Sequence, residues 1–424
     1  MMVKPKLILR NITVLILIGF FFWGCSSNNS EEKTPPHELV LYDINAMLYA
    51  KDQYLQGKEP YLSEVNGLIK AADGFMDSIP PSVIDNEIMP PSGDIHDYTS
   101  MGPYWWPDPE KEDGLPYIRH DGVRNPERYK HDRFVLSDMS DASFYLALAW
   151  FYTGEEKYAV KSGEFLRRWF LDPETKMNPH LKFAQTIPGR DIIRGTGIIE
   201  SLDLINVVEA VGLLQGSGAL NDTENEGMYD WFKSYTEWLT TSEWGWYERM
   251  QENNHGSSYD LQLALYAMFT DQDSIARMVL DSVKTKRIDQ QIEADGSQPH
   301  ELERTNAMGY SIFNLKHLYR CAVLAEKYEI DLWNYQNPKG AGLLTATRYL
   351  IPFLTGEKAF PYQQIRGLEG SPANFLSLLD MAGGRLNDPM IWEFMELHKE
   401  PLPGLDYSRL EDYRHLIYPF IGEK

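Results

Sequence analysis

The chain has 424 residues, 43% of them hydrophobic and 13% aromatic, which describes a folded protein with a large core rather than a disordered one. Its formal net charge of −22 argues against a nucleic-acid partner, since such proteins present a basic face. Only two cysteines occur, and there is no CxxC or HExxH metal set, EF-hand loop or glycine-rich phosphate loop, so neither a metal nor another cofactor is expected.

The first 24 residues read as an export leader. Lys4, Lys6 and Arg10 precede the apolar run "VLILIGFFFWG", which is short for a membrane span, and Cys25 follows directly. Gly24-Cys25 resembles a bacterial lipobox, although Phe22 stands where Leu is usual. It implies cleavage, lipidation of Cys25 and a membrane partner through that anchor, with the protein facing the periplasm or displayed on the outer-membrane surface. An uncleaved signal-anchor helix is the alternative. Residues 25–37, with "SSNNSEEKTPP", read as a tether, and residues 38–424 as one domain. After lipidation only Cys321 would remain free, so stability must come from packing rather than disulfides.

From residue 38 onward helices follow one another. In "SDASFYLALAWFYTGEEKYAVKSGEFLRRWF" the apolar residues Phe144, Leu146, Leu148, Trp150 and Phe151 surround the helix. Gly154 stops it and Glu155 opens the next, which predicts a tight hairpin with a buried inner member. "NDTENEGMYDWFKSYTEWL" offers caps at residues 221–223 and a stripe of Trp231, Tyr235, Trp238 and Leu239. Further helices are expected around Leu261–Met268 and over Tyr310–Leu324. Alternating strand patterns are scarce. Antiparallel helix pairs over this length predict an all-α fold, an α/α toroid or incomplete α/α barrel with inner helices around a cleft; no fixed-period repeat favours a solenoid. Two long loops, residues 89–127 and 177–197, interrupt the helices, and loops of this kind commonly carry binding and catalysis.

Four segments hold the chemistry-bearing side chains: "YWWPDP" (104–109), "NPHLKFAQ" (178–185), "NNHGSSY" (253–259) and "DGSQPHELERTNAMGY" (295–310). Each has an ordinary reading. Trp105 and Trp106 suit a core as well as a sugar platform, Asn254, His255 and Ser257 could cap a helix, Arg304 beside Glu301 and Glu303 could form a surface ion pair, and Tyr310 could be core. Taken together, the Asn-Asn-His trio followed some fifty residues later by Arg and Tyr resembles the alginate lyase superfamily of α/α-toroid polysaccharide lyases. Family 38 is the nearer relative and family 5 the more distant, and the likeness runs from about Tyr98 to Tyr335.

The resemblance implies β-elimination on a 1,4-linked polyuronate, an anionic polysaccharide such as mannuronate-containing alginate or glucuronan. Removing the C5 proton puts charge onto an existing carboxylate, so donors must neutralise that group, as an oxyanion site does. The resemblance assigns this to Asn254 and His255, at the positive end of a helix. It makes Tyr310 the base and, for syn elimination, also the acid. A free tyrosine has a pKa of about 10, and Arg304 would supply the charge that lowers it. For guluronate, where proton and leaving group lie on opposite sides, His255 would be the base. Six residues subtend about 240° on a helix, so Arg304 is expected at or before the first turn of the Tyr310 helix. Gln185 is carried over as a substrate contact. Tyr104, Trp105, Trp106, His180, Arg190, Arg194, His300 and Glu301 are further candidate contacts that would make the cleft locally positive. Two other functions fit the same composition: an inverting glycoside hydrolase using a pair among Asp295, Glu301 and Glu303, and a non-catalytic glycan-binding lipoprotein.

Overall fold

The computed structural model describes residues 39–192, 194–398 and 410–419. The leader, Cys25 and the tether lie outside them. By contact, Pro35–Lys424 form one compact unit. The helices in chain order are α1 (Ile44–Leu55), α2 (Tyr61–Met76), α3 (Asp132–Thr153), α4 (Glu156–Leu166), α5 (Leu204–Leu213), α6 (Asp222–Thr241), α7 (Glu243–Arg249) and α8 (Asn254–Phe269). They continue with α9 (Asp273–Val283), α10 (Asp289–Gln291), α11 (Pro299–Leu302), α12 (Ala307–Glu326), α13 (Leu343–Leu354), α14 (Ser371–Ala382), α15 (Pro389–Leu397) and α16 (Arg414–Ile417). Among the described residues, no helix is long and apolar enough to cross a membrane.

The arrangement is an α/α toroid whose inner and outer helices differ in sequence as expected. α3 and α8 are buried on nearly every side, from Phe144 to Ala149 and from Gly256 to Ala267. α9 buries only Ala276, Val279, Leu280 and Val283, the single stripe of an outer helix. α3 ends at Gly154, which takes the left-handed conformation (φ 73°) that a side chain disfavours, and α4 turns back against it. Asn221 caps α6 in a capping box with Glu224. α12 packs on both α8 and α14, and α16 packs on α1 and α2 while its Arg414 bonds Asp380 of α14 at 2.6 Å. α16 thereby joins the last helices to the first.

The two long loops are not structureless. They contain β1 (Thr99–Met101), β2 (Trp105–Trp106), β3 (Ile118–Arg119) and β4 (Phe183–Thr186). β1 runs parallel to β4, with Thr99 opposite Phe183, and β2 runs antiparallel to β3, with Trp105 opposite Arg119. The β1–β4 pairing fixes the two loops to each other, and the β2–β3 pairing orders the first loop internally.

One buried ion pair holds the start of α8. Arg287 and Asp260 are 3% and 2% exposed and bond at 2.7 Å. The same guanidinium donates to the carbonyls of Gln251 and Arg249 at 2.7 and 2.8 Å, tying the end of α7 to the turn before α8. A side chain at Gly256 would collide with this guanidinium and with the Gln251 carbonyl, which explains a glycine immediately after His255. Arg287→Met leaves Asp260 buried without its partner, and chemical denaturation should show a loss of about 3–5 kcal/mol. Adding Asp260→Leu should recover part of it, because the stranded charge is gone.

Candidate active site

The start of α8 and the segment before α12 face each other across a cleft of about 1220 Å³, closed on a third side by the loop containing β2 and β3. Asn253, not Asn254, His255 or Ser257, caps α8: its side chain accepts from the His255 N–H at 3.1 Å. The Asn254 N–H goes to Glu301 at 2.6 Å. The helix-end amides are therefore taken within the protein, and what the helix offers the cleft is side chains.

Arg304 precedes α12 in a tight turn after the four-residue α11, as the six-residue spacing to Tyr310 demands. It donates to the Tyr310 hydroxyl at 2.7 Å, and its guanidinium sits 3.7 Å from the ring centre. The Tyr104 hydroxyl bonds the same Tyr310 hydroxyl at 2.8 Å. Arg304 is not a free charge, because it also pairs with Asp121 at 2.8 Å, and Asp121 further accepts from the Thr305 N–H and hydroxyl. Gly122 permits this approach, since a Cβ there would strike the Thr305 hydroxyl. Although burial pushes the Asp121 carboxyl up, the Arg304 bond and charge hold it down at about 2. Tyr310 behaves oppositely to the expectation from sequence. Burial raises its pKa, Tyr104 adds to this, and the pull of Arg304 does not overcome them.

His255 Nδ1 meets Glu248 at 2.6 Å, with the Glu248 side chain fully buried, so Nε2 is the ring nitrogen left for the cleft. Asn254 Nδ2 donates to Glu301 at 2.7 Å. Gln185 stands on β4 with a positive φ of 51°, its N–H bonded to Ser100 and its side chain to the buried Glu200.

The cleft wall includes Tyr310, His255, Asn254, Arg304, Gln185, Tyr104, Trp105, Arg194 and His300. Four candidates stand outside it. Trp106, next to Trp105 on β2, donates its indole N–H to the Val123 carbonyl. His180 pairs with Asp97 at 3.1 Å. Arg190 stacks on Trp105 at 4.9 Å, and Glu301 is 1% exposed behind Asn254. Sequence reasoning missed Asp121 and Glu248, which hold Arg304 and His255, and a further wall of Arg133 and Asp141 from α3, Asp203 just before α5 and Asn206 within it. Eight Arg and one Lys line the cleft against five Asp and Glu, a local excess of positive charge within an acidic chain. Among the described residues, no group of three or more His, Cys, Asp or Glu is arranged to hold a metal ion.

A family model described as alginate lyase matches residues 82–360. The crystal structure of an alginate lyase from Bacteroides ovatus is 38% identical, covers 90% of this chain and 99% of its own, and superposes with a TM-score of 0.83. Alginate lyase A1-III, from Sphingomonas species A1, in a variant complexed with a tetrasaccharide, is 13% identical over 90% of this chain and 97% of its own. Its TM-score of 0.54 reflects a shared fold. No curated protein matches.

The opposed effects on Tyr310 give a test. Asp121→Asn removes a negative charge beside the phenolate, which favours the ionised form. The ultraviolet titration of Tyr310, taken as the difference from Tyr310→Phe protein, should move down by about one pH unit. An unchanged titration would mean that Asp121 does not offset Arg304.

Proposed function

Because the chain belongs to the alginate lyase family, a family of polysaccharide lyases, we propose that it cleaves a 1,4-linked polyuronate, alginate containing mannuronate or else glucuronan, by β-elimination. One observation carries the reading: the Tyr310 hydroxyl, bonded by Arg304 and Tyr104, shares a cleft with Asn254 and His255. In this mechanism the substrate carboxylate lies against Asn254 and His255, which offset the charge that grows as the C5 proton leaves. Tyr310 takes that proton and returns it to the departing O4 on the same face of the sugar. Arg304 and Tyr104 are placed to bond the phenolate oxygen at that stage. Since burial opposes the phenolate, the rate should rise with pH through the alkaline range.

The hydrolase alternative loses the pair that the sequence offered for it. Of Asp295, Glu301 and Glu303, only Glu303 lines the cleft, and Asp295 bonds the Ser297 N–H instead. A non-catalytic glycan-binding role has no use for a tyrosine wired to an arginine.

Polymannuronate, polyguluronate and glucuronan, incubated separately while ultraviolet absorbance is followed, distinguish these readings, because elimination creates a conjugated double bond and hydrolysis does not. Tyr310→Phe should abolish the absorbance change with little loss of thermal stability; retained elimination would remove Tyr310 from the mechanism. Asn254→Ala should lower turnover by about 10²-fold, the scale of one oxyanion donor. We also propose export and lipid anchoring at Cys25. Cys25→Ser should release the protein from membranes, and mass spectrometry finding an unmodified Cys25 within an intact leader would refute the anchor.

A further inference from the structure

Asn254 turns an unmatched oxygen to its surroundings. Its Oδ1 is buried without a hydrogen-bond partner, while Nδ2 and the backbone N–H both donate to the carboxylate of Glu301, at 2.7 and 2.6 Å. An unsatisfied buried acceptor is costly, and a substrate carboxylate arriving beside it would meet acceptor with acceptor. A half-turn of the amide exchanges Oδ1 and Nδ2 with almost no change of shape. The turned amide then needs a donor on Glu301, and only the protonated carboxyl has one.

We propose that Glu301 is a positioning residue that takes up a proton when a uronate carboxylate binds, so that the Asn254 amide turns its Nδ2 to the substrate and its Oδ1 to Glu301. The proposal rests on the lyase reading of the cleft. The balance is simple. One proton from solvent goes to Glu301 Oε2, that O–H donates to Asn254 Oδ1, and Glu301 Oε1 keeps the Asn254 N–H. The substrate's negative charge replaces the one lost at Glu301, so the site does not hold two unpaired anions.

The surroundings of Glu301 suit this exchange. Burial pushes its carboxyl up to about 7, against the pull of both Asn254 bonds, Arg304 and His255. Those are the groups that face it from α8 and from the segment after α11. From α12 comes His317, whose burial holds it neutral and which bonds the Asn254 backbone. The positive charge of Arg304 is already directed to Asp121 and Tyr310. A bound carboxylate adds negative charge nearby and raises Glu301 further, the sign required for uptake.

The test is calorimetric binding of an unsubstituted oligouronate to full-length Tyr310→Phe protein at about pH 8, above the Glu301 value, in buffers of different ionisation enthalpy. Proton uptake should approach one per protein and fall to near zero in Tyr310→Phe/Glu301→Gln. Glutamine imitates the protonated carboxyl, donating to Asn254 Oδ1 while accepting its N–H, and circular dichroism checks that the fold is kept. Affinity should weaken by up to about tenfold per pH unit above the Glu301 value in the parent and stay flat in the glutamine variant. Equal uptake in both proteins, or binding to the parent without uptake, overturns the proposal while leaving the lyase reading intact. If the wild type forms no unsaturated product and the parent binds no oligouronate, the lyase reading has failed and takes the proposal with it.

Discussion

The cleft depends on carboxylates bonded behind its donors. Glu248 stands behind His255, Glu301 behind Asn254, Glu200 behind Gln185 and Asp121 behind Arg304. A donor that must meet an anion has to be aimed, and a carboxylate at its other end fixes its direction, at His255 and Arg304 before the substrate arrives and at Asn254 only once the amide has turned. The same arrangement sets a cost. Each backing carboxylate adds negative charge where a polyanion is to bind, and burial makes an unpaired one expensive. The site therefore needs those charges cancelled by a bonded cation, as at Asp121, or by a proton, as burial favours at Glu301.

The toroid brings these pairs together through helix ends rather than helix faces. α8 begins at Asn254 and α12 at Ala307, and the four-residue α11 breaks the chain between them so that Glu301 and Arg304 point to different neighbours. The loop with β2 and β3 closes the third side and is itself locked by Asp121 on Arg304 and Thr305. One contact thus orders both a loop and the arginine bonded to Tyr310. A change at Asp121 consequently moves geometry and charge together, which is why an isosteric asparagine is more informative than alanine.

Local patterns in the sequence carried the helices well. Gly154, the Asn221 box and the all-round apolar runs of α3 and α8 are rules of a single segment, and they hold whatever the segment packs against. The placement of Arg304 before its helix followed from angular spacing alone. Partnerships across the chain were not legible: Asp121 lies 183 residues from Arg304, and nothing in the loop marks it apart from other acids. Glu248 is only seven residues from His255, but a turn between two helices separates them, and no periodicity spans it. Trp105 and Trp106 show a subtler loss. Neighbours on a strand point to opposite sides, so only one of the pair can face the cleft, yet a two-residue strand is too short to announce itself in sequence. His180 and Arg190 were grouped with the cleft by charge type, and each instead has a partner of its own in Asp97 and Trp105.

The acidic chain and the positive cleft are compatible because they act at different ranges. Repulsion between the exterior and a polyanion is screened beyond about 8 Å at physiological ionic strength, whereas contacts made inside a walled cleft are screened far less. The approaching polymer therefore gains little anywhere but in the cleft, where nine cationic side chains outnumber the acids. Several of those cations are already engaged, Arg304 with Asp121 and Arg133 with Asp203, so attraction comes from a lattice of partly compensated charges rather than from a bare basic patch. Such a lattice binds an anion by rearranging existing pairs, and the proton balance of the buried carboxylates then becomes part of the binding energy itself.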